Sequence, residues 1–120
     1  MTSDLDRASM IEAICGTACE ASGITREQLV GRNLARRIVI ARLAVYHLAR
    51  TLENKSTYTS IGQAVGGRDH GTVIASVRSA RKVLDDPSHR DHRILSAIIS
   101  ETSKALLQRR PARRIAPLPK

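Results

Sequence analysis

The sequence predicts an all-α domain of about six helices built around a helix-turn-helix. Apolar residues recur at three- and four-residue spacing along nearly the whole chain, and no stretch alternates with period two as a half-buried strand does. Glycines and polar clusters fall between the periodic segments, where helices must end. With 120 residues, 42% hydrophobic and 26% charged, the chain is sized for one folded domain with one core.

The elements follow in order. A first helix runs from about Leu5 to Ser22, with Ile11, Ile14, Cys15, Ala18 and Cys19 on one side, and Gly23 ends it. Thr25 caps a short second helix with Glu27 and Gln28 in its first turn, stopping near Gly31. The run NLARRIVIARLAVYHLARTL forms a long third helix whose apolar stripe is Ile38, Ala41, Val45, Leu48 and Leu52. After the polar loop ENKS, Thr57 caps a two-turn helix carrying Tyr58, Ile61, Ala64 and Val65, which Gly66 and Gly67 terminate. Asp69 caps the fifth helix, in which Val73, Val77, Ala80 and Leu84 face the core; Gly71, Ala75, Ser76, Arg78, Ser79 and Lys82 cover its other faces. Pro87 separates this from a last helix, about Ser88 to Leu107, with a broad band of Ile94, Leu95, Ile98, Ile99 and Leu106. The domain is expected to span residues 1–108, and RRPARRIAPLPK, residues 109–120, reads as a disordered basic tail.

Charge points to the partner. Twenty Lys and Arg against eleven Asp and Glu leave a net charge of +9, and residues 26–82 hold eleven bases but only three acids. Such a concentration suits a polyanion, because each cation placed against a phosphate releases a condensed counterion. Two tyrosines and no Phe or Trp leave too few rings for the stacking platforms of single-strand binders, so duplex DNA is the expected partner. The absence of a long apolar run and of signal-peptide regions at MTSDLDRASM gives the expectation of a cytoplasmic, nucleoid-associated protein.

The run VGGRDHGTVIASVR, residues 65–78, has the outline of a turn leading into a recognition helix. Gly66 and Gly67 permit positive φ; Asp69 caps the helix and keeps one oxygen for a base amino group; His70 and Thr72 lie in the first turn, where side chains reach base edges. The free N–H groups at the helix start favour a nearby phosphate.

IGQAVGGRDHGTVIASVR, with VIARLAVYHLAR upstream, resembles the C-terminal DNA-binding domain of the bacterial replication initiator DnaA, whose signature is approximately IGxxFGGRDHTTVxHAxxK. The resemblance covers about residues 8–107 and implies a fold similar to that of the Trp repressor. It implies that Asp69 and His70 read bases, assisted by Thr72 with Gly71 beside it. It also implies that basic and polar residues around them meet the DNA backbone or minor groove: Arg42 and Arg50 in the third helix, Arg36 and Arg37 before it, and Lys55, Arg68, Ser76 and Arg78. The departures are Gly71 for the first of two threonines, Ala75 for a histidine, Val65 for a phenylalanine, and an ENKS loop one residue longer. They predict a DNA preference related to the initiator's box but different from it.

No GxxxxGK[ST] run occurs in the 120 residues, so these residues alone are not expected to act as an initiator. The most direct expectation is a transcription regulator, including one of phage-derived genes. The alternatives are a replication regulator competing at origin sites, or an adaptor whose last helix recruits RNA polymerase, a sigma factor or another regulator. Cys15 and Cys19, spaced C-x3-C on an apolar face, read as buried thiols; His89 and His92 do not complete a zinc pattern with them. Neither an oxyanion loop nor an orienting acid accompanies a nucleophile. No catalytic residue, metal or cofactor is expected.

Overall fold

The computed structural model describes residues 4–52 and 57–115. Six helices and no strand occur among them: α1 (Asp4–Ser22), α2 (Arg26–Val30), α3 (Arg36–Leu52), α4 (Tyr58–Ala64), α5 (His70–Asp85) and α6 (His92–Gln108). No helix among the described residues is long and apolar enough to cross a membrane.

The expected caps are in place. Gly23 takes φ 71° and closes α1, with its N–H and that of Ile24 donating to Cys19 O at 2.9 and 3.1 Å. Thr25 Oγ1 accepts from Gln28 N at 3.0 Å while Gln28 Oε1 accepts from Thr25 N at 2.9 Å, a reciprocal box that holds a helix of five residues. Thr57 Oγ1 accepts from Ser60 N at 3.0 Å at the start of α4.

α3 runs through the centre, packed by α1, α5 and α6. A helix covered on several sides buries more than one stripe, which is why Ile40, Ala44, Tyr46 and Ala49 are buried besides Ile38, Ala41, Val45 and Leu48. Leu52, placed on the stripe by its spacing, lies past the end of that cover and is 46% exposed. One core cluster joins Ile11, Ile14, Cys15, Leu29, Val45, Ile61, Val65 and Val73. A second joins Ile40, Ala44, Ala80, Val83, Leu95 and Ile98, so it is α6 that backs the lower half of α5.

Two boundaries differ from expectation. α6 begins at His92 rather than near Ser88, because Asp86 Oδ1 accepts from Ser88 N and Oγ at 3.0 and 2.6 Å, and that local turn competes with helix. The reading of residues 109–120 as a disordered tail is corrected for 109–115, which fold back on the domain. Glu101 takes Arg110 Nη1 at 2.6 Å and Arg113 N at 2.8 Å, and Ile115 N donates to Ala21 O at 2.9 Å. Ala112 and Ile115 pack on the second cluster. Composition pointed to disorder because it sees the prolines and arginines but not Glu101, which receives the Arg110 side chain and the Arg113 amide.

Candidate nucleic-acid interface

The candidate surface is built on the turn between α4 and α5. Gly66 and Gly67 take φ 82° and 77°, two consecutive left-handed residues that L side chains rarely adopt. The turn closes on a single carbonyl: Gly62 O accepts from Gly67 N at 3.0 Å and Arg68 N at 2.9 Å. Gly62 itself was not singled out from the sequence. A Cβ there would stand 2.0 Å from Arg68 O, so α4 has a glycine in its middle because the turn lies directly on it. A glycine inside a seven-residue helix with no bend beside it is the signal that could have found it.

Asp69 is the N-cap of α5, its Oδ1 accepting from Thr72 N at 2.9 Å. Hydrogen bonding from Thr72 holds its carboxyl below the usual range, so the cap is ionised near neutral pH and sits at the positive end of the helix. Asp69, His70, Gly71 and Thr72 are all exposed, as are Ala75, Arg78, Ser79 and Lys82 further along, while Val73, Ala80 and Val83 are buried on the opposite side. Ser76 is half-buried at the edge. The first turn of α5 therefore presents a carboxylate, an imidazole and a hydroxyl to solvent on a helix fixed from behind. Those groups match the donors and acceptors of base edges.

The arginines divide. Arg42, expected on the DNA, is 6% exposed. Its guanidinium donates to Leu29 O at 2.8 Å, Asn33 O at 2.6 Å, Gln28 O at 2.9 Å and Gly31 O at 2.8 Å, the carbonyls that α2 leaves open at its end. Arg68, also expected on the DNA, is half-buried. Its guanidinium donates to Val30 O at 2.7 Å, to Val65 O at 2.5 Å and to Gly31 O, which ties the turn to the end of α2. Two cations converging on one carbonyl cluster disfavour each other, and burial first, then the Arg68 charge, lower the Arg42 pKa.

Arg36 pairs with Asp91 at 2.5 Å and donates to Arg90 O at 3.1 Å, so it fastens α3 to the start of α6. Arg37, half-buried, makes no ion pair among the described residues. Arg50 lies over the Tyr58 ring, 4.4 Å from its centroid. Arg36 and Arg50 stand at opposite ends of α3, about 20 Å apart at the helical rise, so they cannot serve one phosphate. Lys55 falls outside the described residues. The structure thus brings together Asp69, His70, Gly71, Thr72, Ser76 and Arg78 on α5, with Arg50 on its flank, while Arg42, Arg68 and Arg36 contact carbonyls and a carboxylate of the protein itself.

Cys15 and Cys19 are free and buried. Burial raises both thiols, Cys19 to about 11, which keeps them protonated and unreactive near neutral pH.

A sequence model of the bacterial dnaA protein helix-turn-helix matches residues 11–80. Among curated proteins, the chromosomal replication initiator protein DnaA of Chloroflexus aggregans is 37% identical over 78 residues, covering 65% of this chain and 16% of that protein. That of Methylacidiphilum infernorum is 38% identical over 78 residues, 64% of this chain and 17% of its own. That of Rhizobium meliloti is 32% identical over 97 residues, 79% of this chain and 20% of its own. The chain spans about a sixth to a fifth of the length of these relatives. No solved structure matches it.

Proposed function

The chain belongs to the bacterial dnaA helix-turn-helix family, and from that premise we propose that it binds duplex DNA sequence-specifically and regulates transcription. The observation that carries the proposal is the exposed first turn of α5, where Asp69, His70 and Thr72 stand on a capped helix behind two left-handed glycines. α5 enters the major groove amino-terminus first. His70 and Thr72 meet base edges, and the second Asp69 oxygen accepts from a cytosine amino group. The protein acts by binding and performs no reaction of its own.

Gly71 supports a preference different from the initiator's own. Its Cα faces open space, with only Asp69 Oδ2 at 3.8 Å from where a Cβ would stand, so the base-facing turn lacks a methyl and a hydroxyl that the family signature has there. A second reading, control of replication by occupying the initiator's origin sites, draws on the retained run Gly66-Gly67-Arg68-Asp69-His70.

Gel shifts against a duplex panel across a salt series test the proposal. Expected are a steep fall of affinity with salt and discrimination among duplexes that does not peak at the initiator's box. A salt slope near zero defeats DNA binding and leaves recruitment of polymerase or a sigma factor. Equal preference for the initiator's box defeats the altered specificity. A genome-wide footprint then separates promoters, which mean transcription, from origins, which mean replication.

A further inference from the structure

Beside the base-facing turn, the flank of α5 that turns toward α3 lines a cleft of about 430 Å³. Tyr58, Ile74 and Val77 make an apolar floor, Arg78 and Arg81 rise from α5, and His47 and Arg50 face them from α3. The volume lies within the ordinary range of ligand clefts. Among the described residues, no Asp or Glu lines it.

The state of the cations is the second observation. Arg26, Arg36 and Arg110 each hold a carboxylate, at 2.6, 2.5 and 2.6 Å. Arg78 and Arg81, both exposed, make no hydrogen bond or ion pair among the described residues, although Asp85 follows Arg81 by one helical turn. Like charges gathered over apolar side chains repel one another, and an anion placed between them removes that repulsion. Planar guanidiniums with free N–H groups fit the oxygens of a phosphate ester in particular. Along the axis of α5, Arg78 and Arg81 stand about 12 and 16 Å beyond His70, so a group held there lies outside the base-reading turn while belonging to the same helix.

We propose that this cleft is a phosphate-ester site which receives the DNA backbone bordering the groove, with Arg81 a contact added to Arg50 and Arg78. The proposal rests on the DNA-binding reading above. A free nucleotide carries the same chemistry, and the test separates the two sources.

Arg81→Gln is compared with wild type and with Lys104→Gln, which removes an exposed charge on α6, an element that does not line the cleft. Matching thermal melts establish that each variant folds. Duplex affinity is measured over a salt series, and ATP binding without magnesium is titrated calorimetrically. For a DNA source, Arg81→Gln reduces the magnitude of the log K against log salt slope by about 0.9, keeps the rank order of duplexes, and Lys104→Gln leaves the slope alone. An unchanged slope with saturable ATP binding that Arg81→Gln weakens at least tenfold retains the site and assigns it to a nucleotide. An equal fall of slope in both variants overturns the proposal, as does an unchanged slope with no Arg81-dependent ATP binding. If wild type binds no duplex at all, the DNA-binding function fails, and the ATP titration alone decides the cleft.

Discussion

At the end of α2, Arg42 and Arg68 are turned inward and spend their N–H groups on the carbonyls of residues 28–33 and Val65. On the flank of α5, Arg78 and Arg81 are exposed and donate to nothing among the described residues. Both pairs belong to the same basic stretch, but only the first ties elements together. The difference is what surrounds the guanidinium. A helix of five residues is little more than one turn, so most of its carbonyls need donors from elsewhere, and a buried arginine supplies several at once. On the α5 flank, no acceptor among the described residues takes the Arg78 or Arg81 guanidinium.

The sharpest way to break this comparison is Arg42→Ala. Removing it leaves the Gln28, Leu29 and Asn33 carbonyls without this donor while Gly31 O keeps Arg68, and stability should fall by about 3 kcal/mol, given about 1–3 kcal/mol for an unsatisfied buried group and incomplete additivity. Gly62→Ala should cost about 2–3 kcal/mol by forcing the turn away from α4. Arg78→Ala should stay within about 0.5 kcal/mol of wild type. Urea unfolding of the three variants measures this. If Arg42→Ala unfolds like wild type and instead lowers the salt slope of DNA binding, the division between the two regions is wrong.

His70→Ala sharpens the other side. The residue is exposed and belongs to no core cluster, so the melt should hold while specific affinity drops by about 1–3 kcal/mol and competing duplexes are rejected less well. Asp69→Ala should in addition lose about 1 kcal/mol of stability with the cap. Quantitative competition binding beside a thermal melt distinguishes the two variants.

Gly71→Thr is a smaller change at the same turn. It should shift preference toward the initiator's box by about 1 kcal/mol, the scale of one buried methyl, because the Cβ position is open. A selection from randomised duplexes that returns the same sequence before and after the substitution would remove Gly71 from the specificity argument.

The smallest effect concerns the third use of arginine, a half-buried pairing with a carboxylate. Arg110, and with it the Arg113 amide, hold Glu101 at about 2 against an ordinary 4.5. A carboxyl whose folded pKa is depressed contributes fully above its ordinary value and loses that contribution as pH falls toward the folded one. Residues 109–115 should therefore loosen between about pH 4.5 and 2. The amide exchange of Ile115, which donates to Ala21 O, should rise in that window, and Glu101→Gln should abolish the dependence.

Much of the fold was legible. The caps Thr25, Thr57 and Asp69 and the left-handed Gly23, Gly66 and Gly67 were readable because each is a local event, decided within about four residues. The exposure of the first turn of α5 was readable too, since cap and helical period together fix which way His70 and Thr72 point. The internal bonds of Arg42 and Arg68 were not legible because most of their partners lie 9–38 residues away in sequence, and a family resemblance does not say which cation is buried. The cleft of His47 and Arg81 was missed for the same reason, as its walls come from α3 and α5.

By itself, then, the sequence determined the six helices, their caps, the glycine turn and the placing of Asp69, His70 and Thr72 at the start of a recognition helix. Only the tertiary structure decided which arginines are architecture and which remain for a ligand, and that residues 109–115 dock. Hydrogen-bond caps and helical period act over one or two turns of chain. The fate of a long cation depends on the carbonyls and carboxylates that packing brings to it.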